Sequence, residues 1–326
     1  MSLASRLFLA RGIISPMADT DSASSEVASQ LIAGLAGEGD FIADKRFSLD
    51  PHKSREKLRS YQLEDPHAYV LLVVEAAHLA GDRSVDFSCG QTTQASFEGL
   101  SLTRSELENV FNAVFADTRA LEGRARQVAR FTQLLGIAAN AALALGPSAL
   151  EIENVDAKGQ LNRLTILPDA EIRCEPGGGG PPSLTRFVFR GLREDQRDDR
   201  EVELLRARCR YTEMVVNIYG QQISAGHRAP LLHVRTQRIK LDGQTIGRAG
   251  LTKSPEAKLL LITRGVLSET LPLPKAAPGF VAVVESDLRK DLSQSAVIRD
   301  EAFARVLSAV EAIHASLTHR SPHPLL

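Results

Sequence analysis

The chain has only three cysteines in 326 residues, Cys89, Cys174 and Cys209, odd in number and widely spaced. They form neither a disulfide framework nor a ligand pair, which points to a reducing cytoplasm. The eight histidines include no HxxxH or HxH pair on a predicted helix, so no metal site is expected. Neither sign of charge prevails: 39 basic residues face 40 acidic ones, a formal net charge of −1. That balance lacks the electrostatic footprint of a nucleic-acid or anionic-membrane partner. No apolar run reaches the roughly eighteen residues of a spanning helix. The longest stretch, Leu134 to Leu145, is interrupted by Asn140.

The tract GGGGPP at 177–182 has no Lys-Ser or Lys-Thr after it and opens no helix. It therefore reads as a flexible turn and not as a phosphate-binding loop. The first 17 residues are either a transit-like segment or a disordered lead, because Arg6 and Arg11 break the apolar stretch a secretory signal needs. A chain of this length buries a sizeable core and is expected to form two domains.

What is present begins with apolar periodicity. Residues 26–36 suit a short helix, and Asp50-Pro51 opens another through about Tyr61. Asp65-Pro66 starts a third that runs to Ala80 and carries one acid, Glu75, in its apolar stripe. A carboxylate there needs a partner or a task. Strands are expected at 84–89 and 94–97. Thr103 with Glu106 has capping-box spacing for a helix to Phe115, and a long helix spans Gly123 to Leu145 with a break near Gly136.

Further strands are expected at 149–154, 161–167, 171–174 and 184–190. A charge-dense helix follows over 191–210, with Leu204 and Leu205 as its apolar pair. Strands at 214–218, 231–239, 259–263 and 279–285 and a helix from Asp300 to His314 complete the pattern. Helices followed by runs of strands make an α+β sandwich.

The order of motifs resembles the GHKL ATPases, the domain shared by gyrase, the ninety-kilodalton heat-shock chaperone, histidine kinases and MutL. VVEAAHLAG carries Glu75 where that family has its general base, SFEGLSL carries Gly99, and LLGIAAN carries Gly136 as the surviving glycine of the phosphate lid. Val283-Val284-Glu285-Ser286 followed by Asp291-Leu292-Ser293 is similar to the end of the chaperone's middle domain. The resemblance implies a Bergerat-type α/β sandwich over 41–195, after a lead and short helix over 1–40. A smaller middle-like α+β domain would follow over 196–316, with a loose tail at 317–326.

The departures shape the expected function. The family's magnesium-ligating Asn falls at Ala76, and a methyl group cannot ligate a cation that takes oxygen. Its adenine-reading Asp falls at Phe97, which has no acceptor. A charged hydrogen bond of that kind is worth about 1.5–3 kcal/mol, roughly 10- to 150-fold in affinity. Its phosphate-sensing Arg falls at Gln294. A slip of one residue would instead aim Glu98 at the base.

The cofactor implied is ATP with Mg²⁺, and these losses argue against it. The reading is a divergent chaperone-like protein, weak or inactive as an ATPase, acting through other proteins in the cytoplasm. An active ATPase or a nucleotide-free scaffolding subunit is the alternative. Because the chain has no room for the chaperone's C-terminal dimerisation domain, no permanent dimer is expected by that route. Four residues also have plainer readings. Glu75 is paired with an arginine or lies at a helix edge facing water, and a hydrogen bond to His78 three residues on is expected in place of metal ligation. Gly99 and Gly136 are turn and close-packing glycines. Asn140 either replaces a lost polar contact or is solvated.

Overall fold

In the computed structural model, residues 63–319 are described, apart from 116–117, 168–170, 192–198, 233 and 292. The expected lead, the helices at 26–36 and 51–61 and most of the tail lie outside these residues.

Helix α1, Tyr69–Ala80, follows one tight turn at Pro66–Ala68, where Asp65 Oδ1 accepts from His67 N at 3.0 Å and Pro66 opens the turn. It stops at Gly81, whose φ of 89° is the left-handed conformation that only glycine adopts without strain. Every residue from Tyr69 to Ala77 is buried, because α1 is covered on more than one side. Tyr69 stacks on both Phe187 and Phe189, with ring centroids 5.8 and 5.6 Å away.

Strands β1 (Ser84–Ser88) and β2 (Thr92–Glu98) pair antiparallel. Thr103 then caps α2, Arg104–Glu108, with the reciprocal Glu106 bond to the Thr103 N–H at 2.7 Å. The helix expected to reach Phe115 ends at Glu108. There Asn109 Nδ2 turns back to donate to Ser105 O at 2.9 Å, the competition with the backbone that makes Asn a poor helix interior. Helix α3, Gly123–Leu143, has no break at Gly136. Strands β3 (Ala149–Val155), β4 (Gln160–Ile166), β5 (Ile172–Gly179) and β6 (Leu184–Arg190) follow.

Strand β5 takes in half of the glycine tract that reads as a turn. Gly179 pairs with Gln160, and a Cβ on Gly177 would sit 2.7 Å from Leu161 Cδ2, so glycine lets β4 approach. Helix α4, Arg200–Arg208, buries Val202 and Leu205, while Leu204 is only half-buried. Strands β7 (Val215–Ile218) and β8 (Gln221–Gln222) complete an eight-stranded sheet ordered β5-β4-β3-β6-β2-β1-β7-β8. Its single parallel pairing joins β1 to β7. The first sheet thus runs past residue 195, where the sequence places the division between domains.

The second sheet has five strands: β9 (Thr236–Leu241), β10 (Gln244–Leu251), β11 (Lys258–Thr263), β12 (Val266–Pro272) and β13 (Phe280–Glu285), ordered β12-β11-β13-β10-β9. Helix α5, Glu301–His319, covers it, burying Val306, Val310 and Leu317. Strands β10 and β12 are absent from the sequence reading. The apolar residues form three clusters: one around α1, α3 and the first sheet that also takes in Val266 of β12, one between α5 and the second sheet, and a smaller one of Leu231 with Leu260, Ile262, Val281 and Val283. Among the described residues no helix is long and apolar enough to cross a membrane.

Candidate functional site

Helix α1 places Glu75 on the side that meets the second sheet. Strands β11 and β12 are joined by a two-residue turn, Arg264-Gly265, both with positive φ (49° and 83°), the pattern of a tight type I′ hairpin. The tip lies on α1: a Cβ on Gly265 would be 3.3 Å from Val74 Cγ1 and 3.7 Å from His78 Cδ2. Arg264 reaches into the junction and donates from Nε and Nη2 to Glu75 Oε2 at 2.8 and 2.7 Å. Lys290 Nζ, from the segment after β13, pairs with the other oxygen, Oε1.

Burial pushes the Glu75 carboxyl up. The Lys290 ammonium and then the Arg264 guanidinium overcome it, and the pKa ends below the ordinary carboxylate value. The Glu75 side chain is 1% exposed and that of Lys290 3%.

The charges continue outward. Arg264 Nη1 donates to Asp287 Oδ1 at 2.9 Å, and Arg130 of α3 holds Asp287 bidentately, both bonds at 2.8 Å. Beside them Glu285, at the end of β13, accepts from the Gly265 N–H at 2.9 Å. His78 Nε2 lies 3.2 Å from Glu285 Oε1, and His227 Nε2 lies 3.0 Å from Oε2. Burial pushes the Glu285 carboxyl up, and its contacts with His227 and His78 bring it far below its ordinary value.

The bond expected between His78 and Glu75 is therefore replaced by one to Glu285. Both oxygens of Glu75 are already taken by cations. Glu75 itself has the arginine partner the sequence allows, with a lysine besides.

The other sequence-selected residues gather elsewhere. Phe97 points inward from β2 and meets the Phe131 ring of α3 edge-on, centroids 6.2 Å apart. Glu98, next along the strand, is exposed on the opposite face, as the two-residue period requires, so a one-residue slip does not bring it to Phe97's position. A Cβ on Gly99 would lie 3.1 Å from Phe131 Cζ and collide with Thr185 Oγ1. Thr185 Oγ1 in turn accepts from the fully buried Asn154 Nδ2 at 2.9 Å. Asn154 also clamps the loop beneath, bonding Leu100 O at 2.8 Å and Leu102 N at 2.7 Å.

Ala76 is fully buried, and Asn140, one of whose sequence readings is a solvated helix face, is buried within α3. Gly136 lies inside α3, where a Cβ would collide with Val110 O and sit 2.8 Å from Val114 Cγ2. Gln294 turns its amide back to Asp291 O at 3.1 Å.

The sequence reading missed Arg264, Lys290, Asp287 and Arg130. Lys290 lies only four positions before Gln294, and the Arg-Gly pair between two apolar runs was a usable hairpin signal.

The crystal structure of a B-subunit of the DNA gyrase from Myxococcus xanthus is similar to this chain at a TM-score of 0.56 and 14% identity. The match covers 82% of this chain and 95% of that one. The fold is that of the GHKL ATPases. No family model and no curated relative matches the sequence. Glu75 lies on α1, Arg264 comes from the β11–β12 turn of the second sheet, and Lys290 from the segment after β13.

Proposed function

We propose that this chain is a GHKL-fold protein that has given up ATP turnover and works through contacts with other proteins. The observation that carries the reading is α3. Phosphate binding at a helix needs the unpaired N–H groups of its first turn, with glycines that let the phosphate approach. Here Gly136 lies deep within an unbroken helix, its surroundings closed by Val110 and Val114. The earlier part of the same helix puts Phe131 against Phe97, and Leu107 of α2 with Val110 and Phe111 beyond it are buried.

The polar groups near Phe97 are likewise committed to one another, since Asn154 bonds both Thr185 Oγ1 and Leu100 O. Glu75 is 1% exposed and both of its oxygens are paired with cations, which leaves it poorly placed to take a proton from water.

The finer kinship we propose is with the heat-shock chaperone. The phrase Val283–Ser286 closes β13, and the segment after it delivers a cation, Lys290, to Glu75 before α5 begins. Calorimetric titration of the full chain with Mg-ATP is expected to show no dissociation constant tighter than the high-micromolar range. Low-micromolar binding with Glu75-dependent hydrolysis overturns the proposal.

A further inference from the structure

Strand β9 ends the second sheet, with β10 on one side and, among the described residues, no strand on the other. Alternate residues of such an edge turn their N–H and C=O groups away from the sheet. No backbone group of Thr236–Leu241 bonds beyond the β10 ladder among the described residues. One face of the edge is closed, because Ile239 packs fully buried in the cluster under α5.

The other face carries cations. Arg238 lies directly opposite Arg248 of β10, and Lys240 stands two positions on, on the same side. The main chain of Arg235 passes over Gly250, where a Cβ would be 3.0 Å from the Arg235 carbonyl oxygen. Arg235, Arg238 and Lys240 are exposed and Arg248 is half-buried. None of the four has an acidic partner among the described residues. The acids at the margins are engaged elsewhere: Asp242 of the β9–β10 turn pairs with Arg305 of α5, and Glu285 with His78 and His227.

Like charges directly opposite across a ladder repel, and no neighbouring acid offsets the pair here. Cations on an edge also keep two copies of it from pairing, since a second β9 would bring the same charges against these. They leave the edge open to a strand of opposite charge.

We propose that the β9 edge docks an extended acidic segment of a partner protein, which adds to the second sheet and sets acids two positions apart against Arg238 and Lys240, with Arg248 behind them. Free peptide groups supply a ladder that a polypeptide extends and a nucleic-acid backbone does not. Carboxylates supply the charge, and a guanidinium takes one with two parallel bonds. The site rests on the reading that the chain works through other proteins and is independent of its ATP half.

The test is a fluorescein-labelled peptide alternating Glu with Val over six residues, the length of β9, titrated into the full chain and followed by anisotropy. Binding is expected, and in the saturated complex hydrogen exchange should slow in β9 while β11 and β12 stay unchanged. Arg238→Glu places an acid opposite Arg248, so the variant should melt no lower than the parent yet bind the peptide about tenfold more weakly. A peptide with Lys in place of Glu, and the Glu peptide with its backbone nitrogens methylated, should each lose about tenfold or more. Equal binding of the Lys peptide overturns the proposal, since charge would not select. Equal binding of the methylated peptide overturns it too, since no strand would be added. So does tighter binding of a single-stranded oligonucleotide of the same charge. Absence of peptide binding removes this surface, while the separate Mg-ATP titration still decides the loss of ATP turnover.

Discussion

Arg264 and Glu75, 189 positions apart, share two hydrogen bonds through one carboxylate oxygen in a junction from which water is almost excluded. With Lys290 on the second oxygen, removing the acid leaves two cations facing each other in a low dielectric. Loss of one member of such a group costs about 3–5 kcal/mol. Glu75→Ala is expected to lower the free energy of the first urea transition by that amount at neutral pH. A loss below about 1 kcal/mol, the size of an exposed pair, would show that solvent reaches the carboxylate.

Acid should act through the same groups. The folded-state pKa values of Glu75, Glu285 and Asp287 all lie below their ordinary values. For a depressed carboxylate the stabilising contribution is fully present above the unfolded-state pKa, about 4.3 for Glu. It is lost as pH falls through the folded value. The melting temperature is therefore expected to be insensitive to these groups above about pH 5 and to drop below about pH 4. In Glu75→Gln that acid limb should be shallower.

Restoring the family's ligands should not restore the site. Ala76→Asn with Phe97→Asp places an amide and a carboxylate where the structure has hydrocarbon, and Phe131 still fills the space. Burying those groups and losing the aromatic side chain are expected to cost at least about 3 kcal/mol. Calorimetry should find no gain in ATP affinity. Tight Mg-ATP binding by the double variant would show that Phe131 moves aside.

Gly136→Ala sets two effects against each other. Alanine is better than glycine inside a helix by about 1 kcal/mol. The added methyl group meets Val110 O and Val114 Cγ2, and overpacking of this kind costs about 1–3 kcal/mol. The backbone oxygen cannot rotate away, so net destabilisation is expected in thermal denaturation. A stabilised variant would mean that the segment at 110–114 yields.

Local chemistry was readable wherever it was self-contained. Asp65-Pro66, the Gly81 stop and the Thr103–Glu106 box each decide a terminus with neighbouring residues alone. Strand β10 was not readable. Gly247 and Gly250 break the apolar alternation of β10, and they are there because β13 and Arg235 come so close. The carboxylate in the α1 stripe announced an unmet need, and an arginine partner was foreseeable as a type. Its identity depended on a hairpin tip almost two hundred positions later, which no local pattern encodes. Gly136 misled because a glycine in a helix reads as a break, whereas here it is a place where a neighbouring main chain passes.

The parallel pairing of β1 with β7 has a consequence for biogenesis. Asp86 and its neighbour Asn217 are 131 positions apart, so one rim of β1 stays unpaired until the strand beside it has left the ribosome. At about 5–20 residues per second, that interval is on the order of ten seconds. Throughout it the nascent chain presents an open β-edge, the template on which strands of other chains assemble.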